Sequence, residues 1–193
     1  MNQGGRRAEI LKVSRALFRE KGYHATTIRD IAEQSGLLSG SLYAHIRTKE
    51  DLLFEITDTI ADQFIGGLEA VLQTDADPVT KFRAALAAHI GTVGQHIDAA
   101  TVFSQEWRAL SDERREQIQA KRDRYEQLWQ QLLAEGVQKG EFRAEGGRFS
   151  RIVILSVANW LYQWYDPAGP LDPPAVADRL ADVLLLGLRV GGE

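Results

Sequence analysis

The sequence predicts an all-α protein with about nine helices, and three observations support this fold class. Apolar residues recur at helical spacing along most of the chain. Residues that favour helix starts and stops interrupt this pattern at intervals, and no run alternates between apolar and polar residues as a strand would. We therefore expect a three-helix module over residues 1–48, joined by a long helix to a helical bundle over residues 49–193.

The first predicted helix, Arg7–Lys21, carries apolar residues at helical spacing and ends before Gly22, which suits the left-handed position after a helix. Phe18 is expected to close the small core of the module. Arg6 and Arg7 are expected just ahead of this helix, where a basic arm could touch the backbone phosphates of a nucleic acid. A solvated pair of charges is the alternative.

Two short helices follow. Thr27 begins the first, with Asp30 three residues later as in a capping box, and Gly36 ends it. Ser39 is predicted to cap the second, whose inward position is Leu42. Two short helices joined by a tight turn at a glycine are the pattern of a helix-turn-helix, in which the second helix enters the major groove of DNA.

A long helix is predicted from Thr48 to about Leu72, again with an acidic residue, Asp51, three positions after its start. It begins in the N-terminal module and ends inside the second part of the chain. Because it is the only predicted helix that spans both parts, we expect it to couple them.

The remaining helices are predicted from capping residues and apolar periodicity: one that starts at Asp77-Pro78, then Asp98–Leu110, Ser111–Gly140, Arg148–Tyr165 and Asp172–Val190. The last two are apolar over more than one face. A helix of this kind must bury more than one face, so the pattern predicts self-association through these two helices.

The charge is divided unevenly between the two parts. Residues 1–52 contain nine Lys and Arg against six Asp and Glu, whereas the whole chain of 193 residues has a net charge of −4. A mildly basic module on an acidic body is suited to phosphate contacts at one end only.

The run from about Ala8 to Leu53 resembles the DNA-binding domain of the TetR family of bacterial transcriptional repressors. The matching segments are LFREKGYHATTIRDIAEQSG, GSLYAHI and TKEDLL. The resemblance implies a homodimer, paired through the last two helices, that binds a pseudo-palindromic double-stranded DNA operator. The alternative is a pair of helices inside an unrelated all-α protein.

Carried over residue by residue, the resemblance implies two kinds of DNA contact. The residues expected to face the groove are Ser39, Gly40, Ser41, Tyr43 and His45. The residues expected to hold phosphates are Thr26, Thr27, Tyr43 and Lys49.

TetR-like repressors usually carry a small-molecule site in the C-terminal helices, and aromatic residues with a few polar groups are typical of such a site. The expected lining residues are Phe64, Leu86, His89, Phe103, Trp107, Tyr125, Trp129, Asn159, Trp160, Gln163 and Trp164. The alternative for this set is an ordinary core.

The segment NWLYQWYDPAGPLD is similar to the end of helix eight in TetR-like regulators that respond to acyl-coenzyme A thioesters. Arginines are expected around the Trp-Tyr pair in such relatives, but this chain has Gln163 and Asp166 there. The nearest cations for the phosphates are Arg122, Arg124, Arg148 and Arg151. An acyl-CoA and an unspecified apolar or aromatic effector both remain open.

Chemistry beyond binding is not indicated. The chain has no cysteine, no carboxylate stands at metal-ligand spacing beside His89 and His96, and neither a nucleophile elbow nor a glycine-rich phosphate loop is present. We expect no enzyme activity, cofactor, metal or membrane span, and a cytoplasmic location. An activator, a regulator without effector, and a helical enzyme with a borrowed DNA-binding module are the alternatives.

Overall fold

The computed structural model describes residues 3–144 and 147–188. Its helices are α1 (Gln3–Lys21), α2 (Ile28–Gln34), α3 (Ser39–Leu42), α4 (Lys49–Leu72), α5 (Pro78–Gln95), α6 (Ile97–Gln105), α7 (Asp112–Gln138), α8 (Gly147–Asn159), α9 (Leu161–Trp164) and α10 (Pro173–Leu188). A 3-10 turn, Trp107–Ala109, precedes α7. The described residues contain no β-strand, so the predicted all-α fold is confirmed.

Three of the predicted capping residues hold helix starts. The Asp30 N–H donates to Thr27 Oγ1 over 3.1 Å, and the Thr27 N–H donates to the Asp30 carboxylate over 2.8 Å. Thr48 and Asp51 make the same reciprocal pair at the start of α4, over 3.1 Å and 2.9 Å. Asp77 accepts a backbone N–H from the first turn of α5, where a proline follows it. These three starts are therefore determined by local sequence.

The glycine stops are also found as predicted. Gly36, between α2 and α3, has φ +64°, a left-handed conformation that side chains disfavour. Gly22 and Gly140 end α1 and α7 in the same conformation. The tight turn of the helix pair therefore depends on a glycine.

Several boundaries differ from the prediction. α1 begins at Gln3, so Arg6 and Arg7 lie within the helix instead of ahead of it. The N-cap of α3 is Leu38, without a side-chain hydrogen bond, and Ser39 is its first residue. The helix predicted over residues 148–165 is divided into α8 and α9, and the predicted end at Val190 lies outside the described residues.

The chain forms two compact units. The first comprises residues 1–61 and 98–119, and the second comprises residues 62–97 and 120–193. Both α4 and α7 are continuous helices that contribute to both units. The prediction that α4 alone spans the two parts is therefore wrong, because the first two turns of α7 belong to the N-terminal unit.

Each unit has its own core. In the first, the side chain of Phe18 is fully buried, as predicted, together with those of Leu17, Ile31, Leu42 and Leu53. In the second, Phe82 and Trp129 are fully buried and their rings meet edge to face with centroids 5.9 Å apart. The apolar periodicity of the helices accounts for both cores.

Candidate nucleic-acid interface and ligand site

The surface of α3 is the candidate interface with DNA. Leu42 and Ile46 face inward and are 0% and 4% exposed. This orientation leaves Ser39, Gly40, Ser41 and Tyr43 exposed, and His45 partly buried. The exposed groups are hydroxyls and a phenol, which donate and accept hydrogen bonds, so this helix is able to read base edges.

Two of the predicted phosphate contacts are engaged elsewhere. Thr26 is fully buried, its hydroxyl donates to the Gly22 carbonyl over 2.8 Å, and its N–H bonds the same carbonyl over 3.2 Å. It therefore has no free donor for a phosphate. Thr27 is exposed, but its N–H and its hydroxyl both donate to the Asp30 carboxylate. These bonds from Thr27 lower the pKa of Asp30.

Lys49 also has internal partners. Its Nζ donates to the carbonyls of Tyr23 and Thr26 over 2.7 Å each, and it lies 4.3 Å from the Tyr23 ring centroid. Burial lowers the pKa of Lys49. Since an ammonium group has three N–H donors, one remains for a phosphate. The first role of Lys49 is to join the loop after α1 to the start of α4.

The basic arm predicted at the start of α1 is not free. Arg6 donates to the Ser35 carbonyl over 3.4 Å, and Arg7 donates to the His45 carbonyl and pairs with Glu55. Both guanidinium groups therefore support the helix-turn-helix from inside the first unit.

Three further residues of the helix-turn-helix segment are exposed and were not among the predicted contacts. Arg29 on α2 and Arg47 after α3 are exposed cations, and Leu38 is 80% exposed at the N-cap of α3. The two arginines are visible in the sequence as the basic residues between Thr26 and Lys49. The exposure of Leu38 had no such signal, because a leucine beside another leucine reads as core.

A polar joint ties the start of α7 to the start of α4 within the first unit. Arg114 donates to Asp51 over 2.5 Å and lies 3.6 Å from Glu50. The N–H and hydroxyl of Ser111 donate to Glu50 over 3.0 Å and 2.7 Å. The Ser111 bonds lower the pKa of Glu50, and the Arg114 bond lowers the pKa of Asp51. Ion pairs and hydrogen bonds therefore join the starts of α4 and α7 within the first unit.

The eleven predicted ligand residues fall into three groups. Five form a contiguous cluster inside the second unit: Phe64, Leu86, His89, Tyr125 and Trp129. Phe103 and Trp107 belong to the first unit. Asn159, Trp160, Gln163 and Trp164 are exposed at the end of α8 and on α9.

The cluster of five is packed as a core. The rings of Phe64 and His89 stack with centroids 4.6 Å apart, and His89 Nδ1 lies 2.8 Å from the Tyr125 hydroxyl. Burial lowers the pKa of His89 to about 4 and raises the pKa of Tyr125. Leu86 and Trp129 have no exposed surface. His89 is therefore neutral at physiological pH.

A cavity of about 460 Å³ lies elsewhere in the second unit, and none of the eleven residues lines it. Its walls come from the second half of α7, the start of α8 and the end of α10. The lining residues are Gln130, Leu133, Ala134, Val137, Gln138, Phe142, Arg143, Arg148, Ser150, Arg151 and Leu188. Arg148 and Arg151 were among the predicted cations, whereas Arg124 pairs with Glu69 over 3.0 Å and does not line this cavity.

The helices α8 to α10 also present an exposed apolar face. Its large side chains are 46–80% exposed, and they are Phe149, Ile152, Trp160, Trp164, Val183 and Leu186. Exposed apolar residues spaced three or four apart on two helices mark an interaction surface. This is the surface that the sequence predicted for self-association.

In the part of the chain that the structure describes, no group of three or more acidic, His or Cys side chains is arranged to hold a metal ion. Within the same residues, no helix has the length and apolarity needed to cross a bilayer.

Comparisons with known proteins agree with this architecture. Residues 10–56 match the family of bacterial regulatory proteins of the tetR type, and residues 75–188 match the tetracyclin repressor-like C-terminal domain. The chain is 32% identical over 192 residues to the HTH-type transcriptional repressor KstR2 of Rhodococcus jostii, covering 96% of this chain and 92% of that protein.

Two solved structures are similar over nearly the whole chain. The ketosteroid transcriptional regulator KstR2 of Mycobacterium tuberculosis has a TM-score of 0.92 at 28% identity, covering 96% of each chain. AibR in complex with isovaleryl coenzyme A and operator DNA has a TM-score of 0.83 at 27% identity, covering 93% of this chain and 98% of that one. The chain therefore belongs to the TetR family of bacterial transcriptional regulators, and it is a DNA-binding regulator and not an enzyme.

Proposed function

We propose that this protein is a homodimeric repressor that binds a pseudo-palindromic operator and releases it when an apolar or acyl-CoA effector binds. The observation that carries the proposal is the surface of α3, where Ser39, Ser41 and Tyr43 are exposed on a helix anchored by the buried Leu42. A short helix with hydrogen-bonding groups on its free face fits the major groove.

The DNA contacts divide into two kinds. Ser39, Ser41 and Tyr43 read bases, and the exposed Leu38 beside them suits the methyl group of a thymine. Arg29 and Arg47 hold phosphates, with Lys49 contributing its remaining donor. Changes of the first kind alter the preferred sequence, and changes of the second weaken all sequences alike.

The dimer forms through the exposed apolar face of α8 to α10. Phe149 and Ile152 on α8, with Val183 and Leu186 on α10, supply an apolar stripe on each helix, which a second copy would cover. Binding to two half-sites one turn of DNA apart requires the two copies of α3 in this dimer to lie about 34 Å apart. We expect Leu186→Glu to shift the protein to a monomer in sedimentation measurements and to weaken operator binding.

Two observations support an effector of the acyl-CoA class. The related AibR structure holds isovaleryl coenzyme A with operator DNA, and the second unit here has a cavity of about 460 Å³ that is lined by apolar side chains and arginines. Cavities of this size are typical of small-molecule sites. We place the protein in the cytoplasm, where a regulator of this kind meets its operator.

An operator selection tests the proposal. Binding sites are selected from random DNA, and release of the selected site is then measured with a panel of acyl-CoAs and the matching free acids. We expect a two-fold symmetric site and release by at least one member of the panel. An asymmetric site, or binding that no thioester or acid changes, contradicts the proposal. A reporter gene placed behind the site distinguishes repression from activation.

A further inference from the structure

The cavity in the second unit combines an apolar floor with a cationic rim. Its most buried lining side chains are Leu133, Phe142 and Leu188, which are 5%, 3% and 8% exposed. Its cations are Arg143, Arg148 and Arg151. A site with this division is complementary to a molecule that is apolar at one end and negatively charged at the other.

The floor is built into the fold. A Cβ atom on Gly136 would lie 2.0 Å from the Phe142 ring, so only glycine lets this ring pack against α7. The Phe142 N–H donates to the Gly136 carbonyl over 3.1 Å, and the Arg143 N–H donates to the Leu188 carbonyl over 2.8 Å. These contacts fix the segment between α7 and α8 against the end of α10, so the cavity is largely preformed.

The rim concentrates positive charge at the start of α8. This helix begins at Gly147, so Arg148 and Arg151 lie near its positive end, and its first turn contains no acidic residue. Cations at this end of a helix are destabilising unless an anion offsets them. Among the described residues, Arg151 pairs with Glu126 over 3.3 Å, whereas no carboxylate lies within ion-pair distance of Arg148.

A second feature of the rim is an unsatisfied donor. Arg151 bonds Gln130 over 3.5 Å, but its Nε is buried and has no hydrogen-bond partner among the described residues. Buried donors are normally satisfied. Gln138 and Ser150 add further polar groups to the same wall. The charge at the helix start and the unsatisfied Nε both belong to arginines that line the cavity, and both favour an anion there.

We propose that this cavity binds an amphipathic anion, with the apolar body on Leu133, Phe142 and Leu188 and the anionic group at Arg143, Arg148 and Arg151. The inference rests on the proposed function for its role in DNA release, and it places the effector here instead of in the aromatic cluster around His89. A carboxylate and a coenzyme A phosphate share this chemistry.

Binding is measured by calorimetry on the full-length protein with four probes: decanoate, 1-decanol, decanoyl-CoA and coenzyme A. Since a hydrogen bond to a charged group is worth about 1.5 kcal/mol or more, we expect 1-decanol to bind at least about tenfold more weakly than the tighter of the two anions. Coenzyme A alone is expected to bind weakly, because it lacks the apolar body.

Three variants locate the site. Ala134→Phe, at an exposed lining position on α7, is expected to block the cavity and abolish binding. Arg148→Gln is expected to lower the affinity for the anions about tenfold and to leave the affinity for 1-decanol unchanged. Arg124→Gln is the matched control, because it removes an exposed arginine of the same helix bundle outside the cavity.

The outcomes separate the possibilities. If decanoate binds, the arginines recognise a carboxylate. If only decanoyl-CoA binds, they recognise a phosphate of coenzyme A. Both results support the inference. Equal affinity for decanoate, decanoyl-CoA and 1-decanol, no binding by any probe, or unchanged binding in folded Ala134→Phe overturns it. If decanoyl-CoA still releases operator DNA from Ala134→Phe, the inference fails while the proposed function stands.

Discussion

The first turns of α4 and α8 have opposite electrostatics. α4 begins with a Thr48–Asp51 capping box, and its acidic residues Glu50 and Asp51 are bound by Ser111 and Arg114 of the same unit. α8 begins at Gly147, carries Arg148 in its first turn and has no acidic residue there. The charge at the first start is satisfied within the chain, which suits a structural joint. At the second start, Arg151 pairs with Glu126, but no carboxylate in the described ranges lies within ion-pair distance of Arg148, which suits a place where something else binds.

Burial inside the second unit disfavours a charged side chain, and His89 is an example. Its pKa is about 4 when folded, below the 6.5 of an ordinary histidine, because burial disfavours the charged ring. Between these values the unfolded chain binds a proton that the folded chain does not, so stability falls as the pH falls. The loss from pH 7 to pH 4 is about 3 kcal/mol.

Urea denaturation of wild type and His89→Gln across this pH range isolates the effect. The glutamine keeps a polar group near the Tyr125 hydroxyl but does not titrate. The stability difference between the two proteins should therefore shrink as the pH falls. A difference that is constant from pH 7 to pH 4 contradicts the assignment of His89 as a buried neutral group.

Removal of the polar joint at the start of α4 should give the next largest loss of stability. Asp51→Ala removes both the reciprocal cap with Thr48 and the ion pair with Arg114, and we expect it to destabilise the protein by about 2 kcal/mol. Chemical denaturation measures the loss, and Asp75→Ala, at an exposed loop position, is the control. A double-mutant cycle with Arg114→Ala should show coupling. Additive single effects would mean that Arg114 and Asp51 do not act together.

Lys49, the first residue of α4, tests whether the start of this helix has only a structural role or also contacts DNA. Loss of its bonds to the Tyr23 and Thr26 carbonyls should cost about 1–2 kcal/mol of stability in Lys49→Ala. Arg47→Ala should leave stability unchanged but flatten the dependence of operator affinity on salt by about one unit. If Lys49→Ala is as stable as wild type, the bonds from Lys49 to the Tyr23 and Thr26 carbonyls do not stabilise the fold.

The smallest predicted effect is a gain in stability, whereas Asp51→Ala and Lys49→Ala are expected to lower it. Arg148→Glu replaces a cation near the positive end of α8 with an anion, so the ligand-free protein should become more stable by about 0.3–1 kcal/mol. Thermal unfolding without ligand detects this gain. A loss of stability in Arg148→Glu would show that the charge at this helix start is already compensated, and the contrast with α4 would not hold.

The helix-turn-helix of the first unit could be predicted almost completely from the sequence because its determinants are local, whereas the place of residues 98–119 in this unit was not predicted. Thr27, Gly36 and Thr48 fix helix boundaries within a few residues of themselves. The exposed face of α3 follows once Leu42 is placed in the core. Arg6 and Arg7 were misjudged because their partners, Ser35, His45 and Glu55, become neighbours only on folding.

The second unit could be predicted in its helices but not in its cavity. The cavity depends on Phe142 packing against Gly136, a contact that neither apolar periodicity nor capping residues indicate. The aromatic residues suggested a ligand site through composition alone, but Trp129 and Leu86 are fully buried in the core. The arginines of α8 were noticed as cations, and only the fold shows that Arg143 joins them.

Operator release is the measurement that tests the central claim most directly. A selected operator, labelled for fluorescence anisotropy, is bound by wild type and by Ala134→Phe and then titrated with decanoyl-CoA. The account predicts that both proteins bind the operator and that decanoyl-CoA releases it from wild type only. Release from both proteins, or from neither, would contradict the claim that the cavity between α7 and α8 controls DNA binding.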